Sequence, residues 1–182
     1  MNIGCVVMAS GSASRFGSNK LLANFCKKPL IGHILEKLPR EEFDKIIVVT
    51  RSEDVKKLCA TLDIDCLLHA QPLQSDTVRL GIEVMRDMDG CMFCVADQPL
   101  CTAESIRRMT KAFSQQPHNI IRLAFDGKAG NPVIFPRSLF SELSALPNGR
   151  GGGAVVQKHP DLVVTVNAES AEELAPTFPQ SA

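Results

Sequence analysis

Hydrophobic and polar residues along this chain alternate between two periods. Ile3 to Met8, Lys45 to Thr50, Asp65 to His69, Cys91 to Ala96 and Ile120 to Phe125 are short apolar runs rich in branched residues. Such runs predict strands buried on both faces. Between them the apolar positions repeat every three or four residues. Leu30, Ile31, Ile34, Leu35 and Leu38 predict a helix with Pro29 in its first turn, ended by Pro39. Ser52 and Thr102 predict caps for helices reaching about Leu62 and Gln116, and another helix is predicted from about Ser75 to Met88. Strand and helix in turn, with no internal repeat or linker, predict one α/β domain over residues 1–182 with a mostly parallel sheet covered on both faces.

The last third is less regular. Pro132 to Phe135 is a short apolar strand among Gly127, Gly130, Pro132 and Pro136, a setting that suits an antiparallel or edge insertion. A short helix begins at Ser138. The run Asn148-Gly-Arg-Gly-Gly-Gly153 then leads into a helix ending near His159, and Leu162 to Val166 is the last predicted strand. An acidic helix is expected from Glu169 to Leu174, its first turn favoured by the helix dipole, with a tail fraying from about residue 175.

Composition narrows the partners. Twenty basic and twenty acidic residues leave no net charge, so neither nucleic acid nor an anionic membrane is expected. No stretch of about 18 apolar residues is present, and the apolar start is too short for a signal peptide, which predicts a cytoplasmic protein. Seven scattered cysteines suit a reduced core. Cys91 and Cys94 fall within one predicted strand, facing opposite ways, so they do not suggest a zinc site.

The chemistry concentrates after the first strand. From Met8 to Leu22 the chain reads Met-Ala-Ser-Gly-Ser-Ala-Ser-Arg-Phe-Gly-Ser-Asn-Lys-Leu-Leu. Small residues leave backbone N–H groups open to an anion, while Arg15 offers a planar fork of donors and Lys20 a compact charge. The spacing excludes the P-loop, since Lys20 lies three residues past Gly17 and precedes Leu21, and it excludes the dinucleotide fingerprint. A second polar tip follows the Cys91 run, in Val95-Ala96-Asp97-Gln98-Pro99. A carboxylate there, across from a phosphate loop, suits Mg²⁺, which takes one or two carboxylates plus phosphate oxygens.

The first pattern resembles the nucleotidyltransferase signature Leu-Ala-Ala-Gly-x-Ser-x-Arg-Met/Phe-Gly-x-x-Lys, and Asp97-Gln98-Pro99 resembles the metal-binding Asp-x-Pro of the same enzymes. Gln74-Ser-Asp-Thr77-Val-Arg-Leu-Gly81 resembles their Gly-x-Ser-x-Ser-Leu/Val-x-x-Gly-Leu, and Gly130 to Phe135 resembles their Gly-x-Pro-Val-Leu-Phe strand. The chain is thus similar to the molybdenum-cofactor cytidylyltransferases. The resemblance implies a Rossmann-like three-layer α/β/α fold of the nucleotide-diphospho-sugar transferase type, with one antiparallel strand. It also implies transfer of CMP from CTP to the terminal phosphate of a molybdopterin-type cofactor, with Mg²⁺ as cofactor and a molybdoenzyme or maturation protein as a further partner. Arg15, Lys20 and Asp97 would be catalytic, with Asp97 on the metal. Ala9, Ser10, Gly11, Ser12, Arg15, Lys20, Ser75, Thr77 and Gly81 would bind the nucleotide. Thr77 would reach the base, and Gly81 would let its helix pack closely; plain N-capping by Ser75 is the alternative for that motif. A side chain at position 10 narrows the base site and favours a pyrimidine over a purine.

Two segments depart from the family. Asn148-Gly-Arg-Gly-Gly-Gly153 replaces Gly-Asp-x-Gly-Ala-Arg, and Glu169-Ser-Ala-Glu-Glu-Leu174 replaces Asp-Thr-Pro-Glu-Asp-Leu. The first leaves the acceptor open to sugar or polyol phosphates, and leaves use of GTP or simple nucleotide binding as rival readings. The second leaves Glu169 or Asn167 as a second metal ligand or as a dipole partner.

Overall fold

The computed structural model describes residues 1–11 and 19–176. Its strands are β1 (Ile3–Ala9), β2 (Asn24–Phe25), β3 (Lys28–Pro29), β4 (Lys45–Thr50), β5 (Asp65–Leu68), β6 (Gly90–Val95), β7 (Ile120–Phe125), β8 (Lys128–Pro136) and β9 (Val163–Asn167). Its helices are α1 (Leu30–Lys37), α2 (Glu53–Thr61), α3 (Gln74–Val84), α4 (Ala103–Gln115), α5 (Phe140–Ser144) and α6 (Gly153–Lys158). Seven strands form one sheet in the order β5-β4-β1-β6-β8-β7-β9, and β2 and β3 pair as a small hairpin. Within the seven-stranded sheet, β8 alone runs antiparallel to its neighbours.

Strand alternation divides the core into two layers. In β1, Cys5, Val7 and Ala9 face the layer with α1, α2 and α4, while Val6 faces the layer with α3, α5 and α6. The same alternation sends Cys94 to the first layer and Cys91 to the second, and all seven cysteines are free thiols. This is the three-layer α/β/α fold that the periodicity and the resemblance imply. Gly81 of α3 lies so close to β1 that a Cβ there would sit 2.9 Å from Val6 Cγ1.

Chain order fixes the crevice. After β1 the chain builds β4 and β5 on one side, then returns to add β6 on the other. Strand order therefore reverses between β1 and β6, and in open α/β sheets ligands bind beyond the carboxyl ends at such a point. The residues after β1 and after β6 meet there, with the Ala96 N–H donating to the Met8 carbonyl at 3.1 Å.

Several boundaries differ from the sequence expectations, for local reasons. Pro29 lies in the β2–β3 hairpin and precedes α1 instead of opening its first turn. Ser75 stands inside α3, whose flanking residue is Leu73; the Leu73 N–H is taken by the Asp76 carboxylate at 3.0 Å. The Pro132 strand is antiparallel as expected, but it is nine residues long and lies between β6 and β7, not at an edge. Its missing N–H is tolerated because Pro132 precedes the rungs with β6, which begin at Val133, and sits where the β7–β8 register shifts. Residues 171–174 form a 3-10 turn, not an α-helix.

Candidate active site

The loop at residues 12–18, with Ser12 and Arg15, lies outside the described residues. Its two ends are defined. Ala9, 2% exposed, closes β1, and its carbonyl accepts from the Thr50 hydroxyl at 2.9 Å, which ties β1 to the tip of β4. The half-buried Ser10 and the exposed Gly11 then leave the sheet; a Cβ on Gly11 would meet none of the described residues within 4 Å. The loop returns through Asn19, whose side chain accepts from the Leu21 N–H at 3.0 Å and starts a 3-10 turn over Lys20–Leu22. Leu21 is buried beneath that turn, so Lys20 is presented from an anchored backbone.

Lys20 and Asp97 meet across the switch point, Nζ to Oδ2 at 3.0 Å. The sequence pattern assigned these two residues separately, one to phosphate and one to metal, and the fold brings them into direct contact. Each neutralises the other. Both are more than a quarter exposed, so the pair is a modest stabiliser that ligand charge can rearrange.

The segment that follows Asp97, from Gln98 to Thr102, is pinned at three places. The Lys37 ammonium of α1 donates to the Pro99 carbonyl at 2.8 Å. The buried Gln98 side-chain amide donates to the Leu174 carbonyl at 2.7 Å. Glu173, 2% exposed, reaches the start of α4, where its Oε2 accepts from the Thr102 N–H and hydroxyl, each at 3.1 Å. Its Oε1 accepts from the Glu169 N–H at 2.9 Å. Burial raises the Glu173 carboxyl, but hydrogen bonds from Ser105, Thr102 and Glu169 outweigh it and hold the pKa below the ordinary value. The acidic segment thus serves the N-terminus of α4 as well as the start of its own turn, where hydrogen bonds from its own backbone and from Ser170 lower the Glu172 pKa.

The motif at α3 makes contacts within the protein. Ser75 is fully buried, and its hydroxyl accepts from the Gly149 N–H at 3.1 Å. Thr77 is 2% exposed, and its buried hydroxyl has no partner among the described residues, so base contact would require the first turn of α3 to shift. Arg79 pairs with Asp76 at 3.1 Å and donates to the Leu146 carbonyl and, at 3.1 Å, to Asn148 Oδ1. Gly149 adopts φ +78°, a conformation open to glycine, and a Cβ on Gly151 would fall 2.9 Å from Gln74 Nε2. The Asn148–Gly153 loop is therefore latched onto the start of α3.

Sequence reasoning missed His69, the residue after β5. Its Nε2 lies 2.8 Å from Ser10 Oγ, and its Nδ1 accepts from the Gln71 N–H at 3.2 Å. Burial first, then the nearby Arg51 cation, lower the imidazole pKa. No motif flagged it, because its role arises only when the tips of β1 and β5 flank β4. Thr50, Lys37 and Gln98 were missed for the same reason.

No group of three or more His, Cys, Asp or Glu able to hold a metal occurs among the described residues. A single carboxylate beside a phosphate loop nevertheless fits Mg²⁺, which binds largely through nucleotide phosphates and water. Glu169 and Asn167 are exposed at the end of β9 and beyond.

Comparison with known proteins agrees with this geometry. A 3-deoxy-manno-octulosonate cytidylyltransferase from Francisella tularensis subsp. novicida is 27% identical over 124 residues, covering 66% of this chain and 49% of the relative. The chain thus spans about half the length of the curated relatives it matches. Among solved structures, Rv0371c from Mycobacterium tuberculosis superposes with a TM-score of 0.82 at 20% identity, over 94% of this chain and 90% of that one. That protein is also known as a manganese complex. A CMP:2-keto-3-deoxy-manno-octonic acid synthetase complexed with CTP superposes with a TM-score of 0.71 at 14% identity, over 92% and 91%. The model of the MobA-like NTP transferase domain matches residues 5–163, and the chain belongs to that family of nucleotidyltransferases.

Proposed function

We propose that this protein transfers CMP from CTP to an oxyanion acceptor, with release of pyrophosphate. The Lys20–Asp97 contact at the switch point carries this reading, because a cation suited to phosphate and a carboxylate suited to a metal lie together there. An acceptor phosphate is already ionised at pH 7, so its attack requires no general base; a sugar acid joined through a hydroxyl would pass that proton to a base. Its oxygen attacks the α-phosphorus in line, and the bond to the leaving pyrophosphate breaks. Catalysis then consists of positioning and of neutralising charge on the leaving group. Arg15 and Lys20 supply that charge, and backbone N–H groups from Ser10 to Ser12 hold phosphate oxygens. Asp97 would hold Mg²⁺, which supplies Lewis-acid stabilisation of phosphate charge. Binding requires Lys20 to leave Asp97 for the phosphates, so the ligand-free ion pair rearranges as the triphosphate enters.

For the acceptor, the family favours the terminal phosphate of a molybdopterin-type cofactor. A sugar acid is the second reading, favoured by the curated cytidylyltransferase relatives. Incubation with CTP, Mg²⁺ and each acceptor class tests both: a CMP-linked product with equimolar pyrophosphate is expected. Pyrophosphate from CTP with no linked product would contradict transfer.

A further inference from the structure

Three strand tips meet on the side of the crevice away from Asp97. Ser10 follows β1, Val49 lies near the end of β4 and His69 follows β5. The His69 N–H donates to the Thr50 carbonyl at 3.0 Å, which fixes the backbone that carries the ring. Proton positions follow from the partners. The Gln71 N–H donates to His69 Nδ1 at 3.2 Å, so that nitrogen is bare and a neutral ring carries its proton on Nε2. Nε2–H then donates to Ser10 Oγ at 2.8 Å. The Ser10 hydroxyl in turn donates its own proton to the Val49 carbonyl at 3.2 Å. Burial and the Arg51 charge disfavour the imidazolium, whose Nδ1–H would confront the Gln71 N–H.

The consequence concerns the one lone pair left on Ser10. A serine hydroxyl ordinarily turns to donate or accept as a ligand demands. Here its proton is committed to one neighbour and one lone pair to another, leaving one acceptor without a partner among the described residues. We infer that His69 locks Ser10 as an acceptor-only group, and that the pair selects a pyrimidine bearing an exocyclic amine, cytosine, over uracil. The cytosine amino group can donate to that lone pair. Uracil presents a carbonyl oxygen in the same place, so two acceptors would face each other without a proton between them. A site that leaves a buried polar group unpaired rejects the wrong ligand more strongly than a loose apolar fit does. His69 is a positioning residue in this scheme and need not touch the base. The inference rests on the crevice being the nucleotide site.

Equilibrium binding tests it without any acceptor. The full chain is titrated calorimetrically with Mg·CTP and with Mg·UTP, as wild type and as His69→Ala, His69→Gln and Ser10→Ala. Wild type should bind CTP on the order of 10–100-fold more tightly than UTP. His69→Ala frees the hydroxyl to turn and donate, and Ser10→Ala removes it, so both ratios should fall to within about threefold. His69→Gln should retain most of the preference, because a glutamine amide nitrogen can stand where Nε2 stands and donate to Ser10. A purely structural histidine would show no such rescue. If His69→Ala does not fold, Ser10→Ala carries the same comparison. Equal or tighter UTP binding by wild type, an unchanged ratio in the variants, or no binding of either nucleotide overturns the inference. CTP-selective binding without transfer to any acceptor would leave it standing and remove the proposed activity instead.

Discussion

The two halves of the crevice are finished to different degrees. On the β1–β4–β5 side, polar groups at the strand tips already have partners: Ser10 with Val49 and His69, Thr50 with Ala9 and Ser52, His69 with Gln71. On the β6–β8–β7–β9 side the sheet is more open. Thr165 and Asn167 are exposed on β9, and Arg122 of β7 has a buried Nε with no partner among the described residues. Burial lowers the Arg122 pKa, and no carboxylate offsets that cost among the described residues. Preset hydrogen bonds suit a ligand whose chemistry is constant, as a nucleotide's is. An open rim leaves room for acceptors that differ from one family member to another.

The comparison can be tested first where the largest effect is expected. Lys20→Ala should lower turnover with CTP by about a hundredfold or more, the usual cost of removing one preorganised charge donor. Arg15→Lys should also lose activity, since an ammonium cannot replace a bidentate fork. Near wild-type kcat in both would remove the first loop from the phosphate site. Asp97→Asn comes next: it keeps the shape of the loop but should weaken the Mg²⁺ dependence of the rate. A titration of activity against Mg²⁺ that matches wild type would free Asp97 from metal duty.

Stability effects come after activity effects. Glu173→Gln should cost about 1–3 kcal/mol at pH 7, read from urea unfolding, because an amide cannot accept from all of the donors around Glu173. Its sign with pH is fixed by the lowered pKa in the folded state. The unfolded chain binds the proton more readily, so the contribution is present above the unfolded carboxyl pKa and is lost as pH falls through the folded value. Wild type should therefore lose part of its advantage over Glu173→Gln on acidification; a pH-independent gap would contradict the assignment. Thr77→Val should be the mildest change. Its hydroxyl has no partner among the described residues, so the variant should match or slightly exceed wild-type stability and leave CTP affinity unchanged. Loss of CTP affinity would show that α3 shifts to bring Thr77 to the base.

The same division runs through what the sequence discloses. The parallel strands were legible because burial on both faces demands unbroken apolar runs. β8 was legible as antiparallel but not as central. Pro132 argues for an edge unless the ladder shifts there, and a register shift leaves no trace in one sequence. Arg15 and Lys20 could be nominated from local spacing, whereas His69, Gln98 and Glu173 act across 59, 76 and 71 residues of chain. Ser75 and Thr77 show the converse. Their motif was visible, but whether a hydroxyl faces a ligand or another loop depends on how Asn148–Gly153 folds back onto α3.

One measurement tests the central claim most directly. CTP labelled at the α-phosphate is incubated with the protein, Mg²⁺ and a set of acceptors that includes the molybdopterin cofactor and 3-deoxy sugar acids. Pyrophosphate and labelled product are then counted together. The account predicts that label passes to one acceptor class in a one-to-one ratio with pyrophosphate, and that Lys20→Ala abolishes the transfer. Label that remains in CTP, or appears only as free CMP with every acceptor, would contradict it.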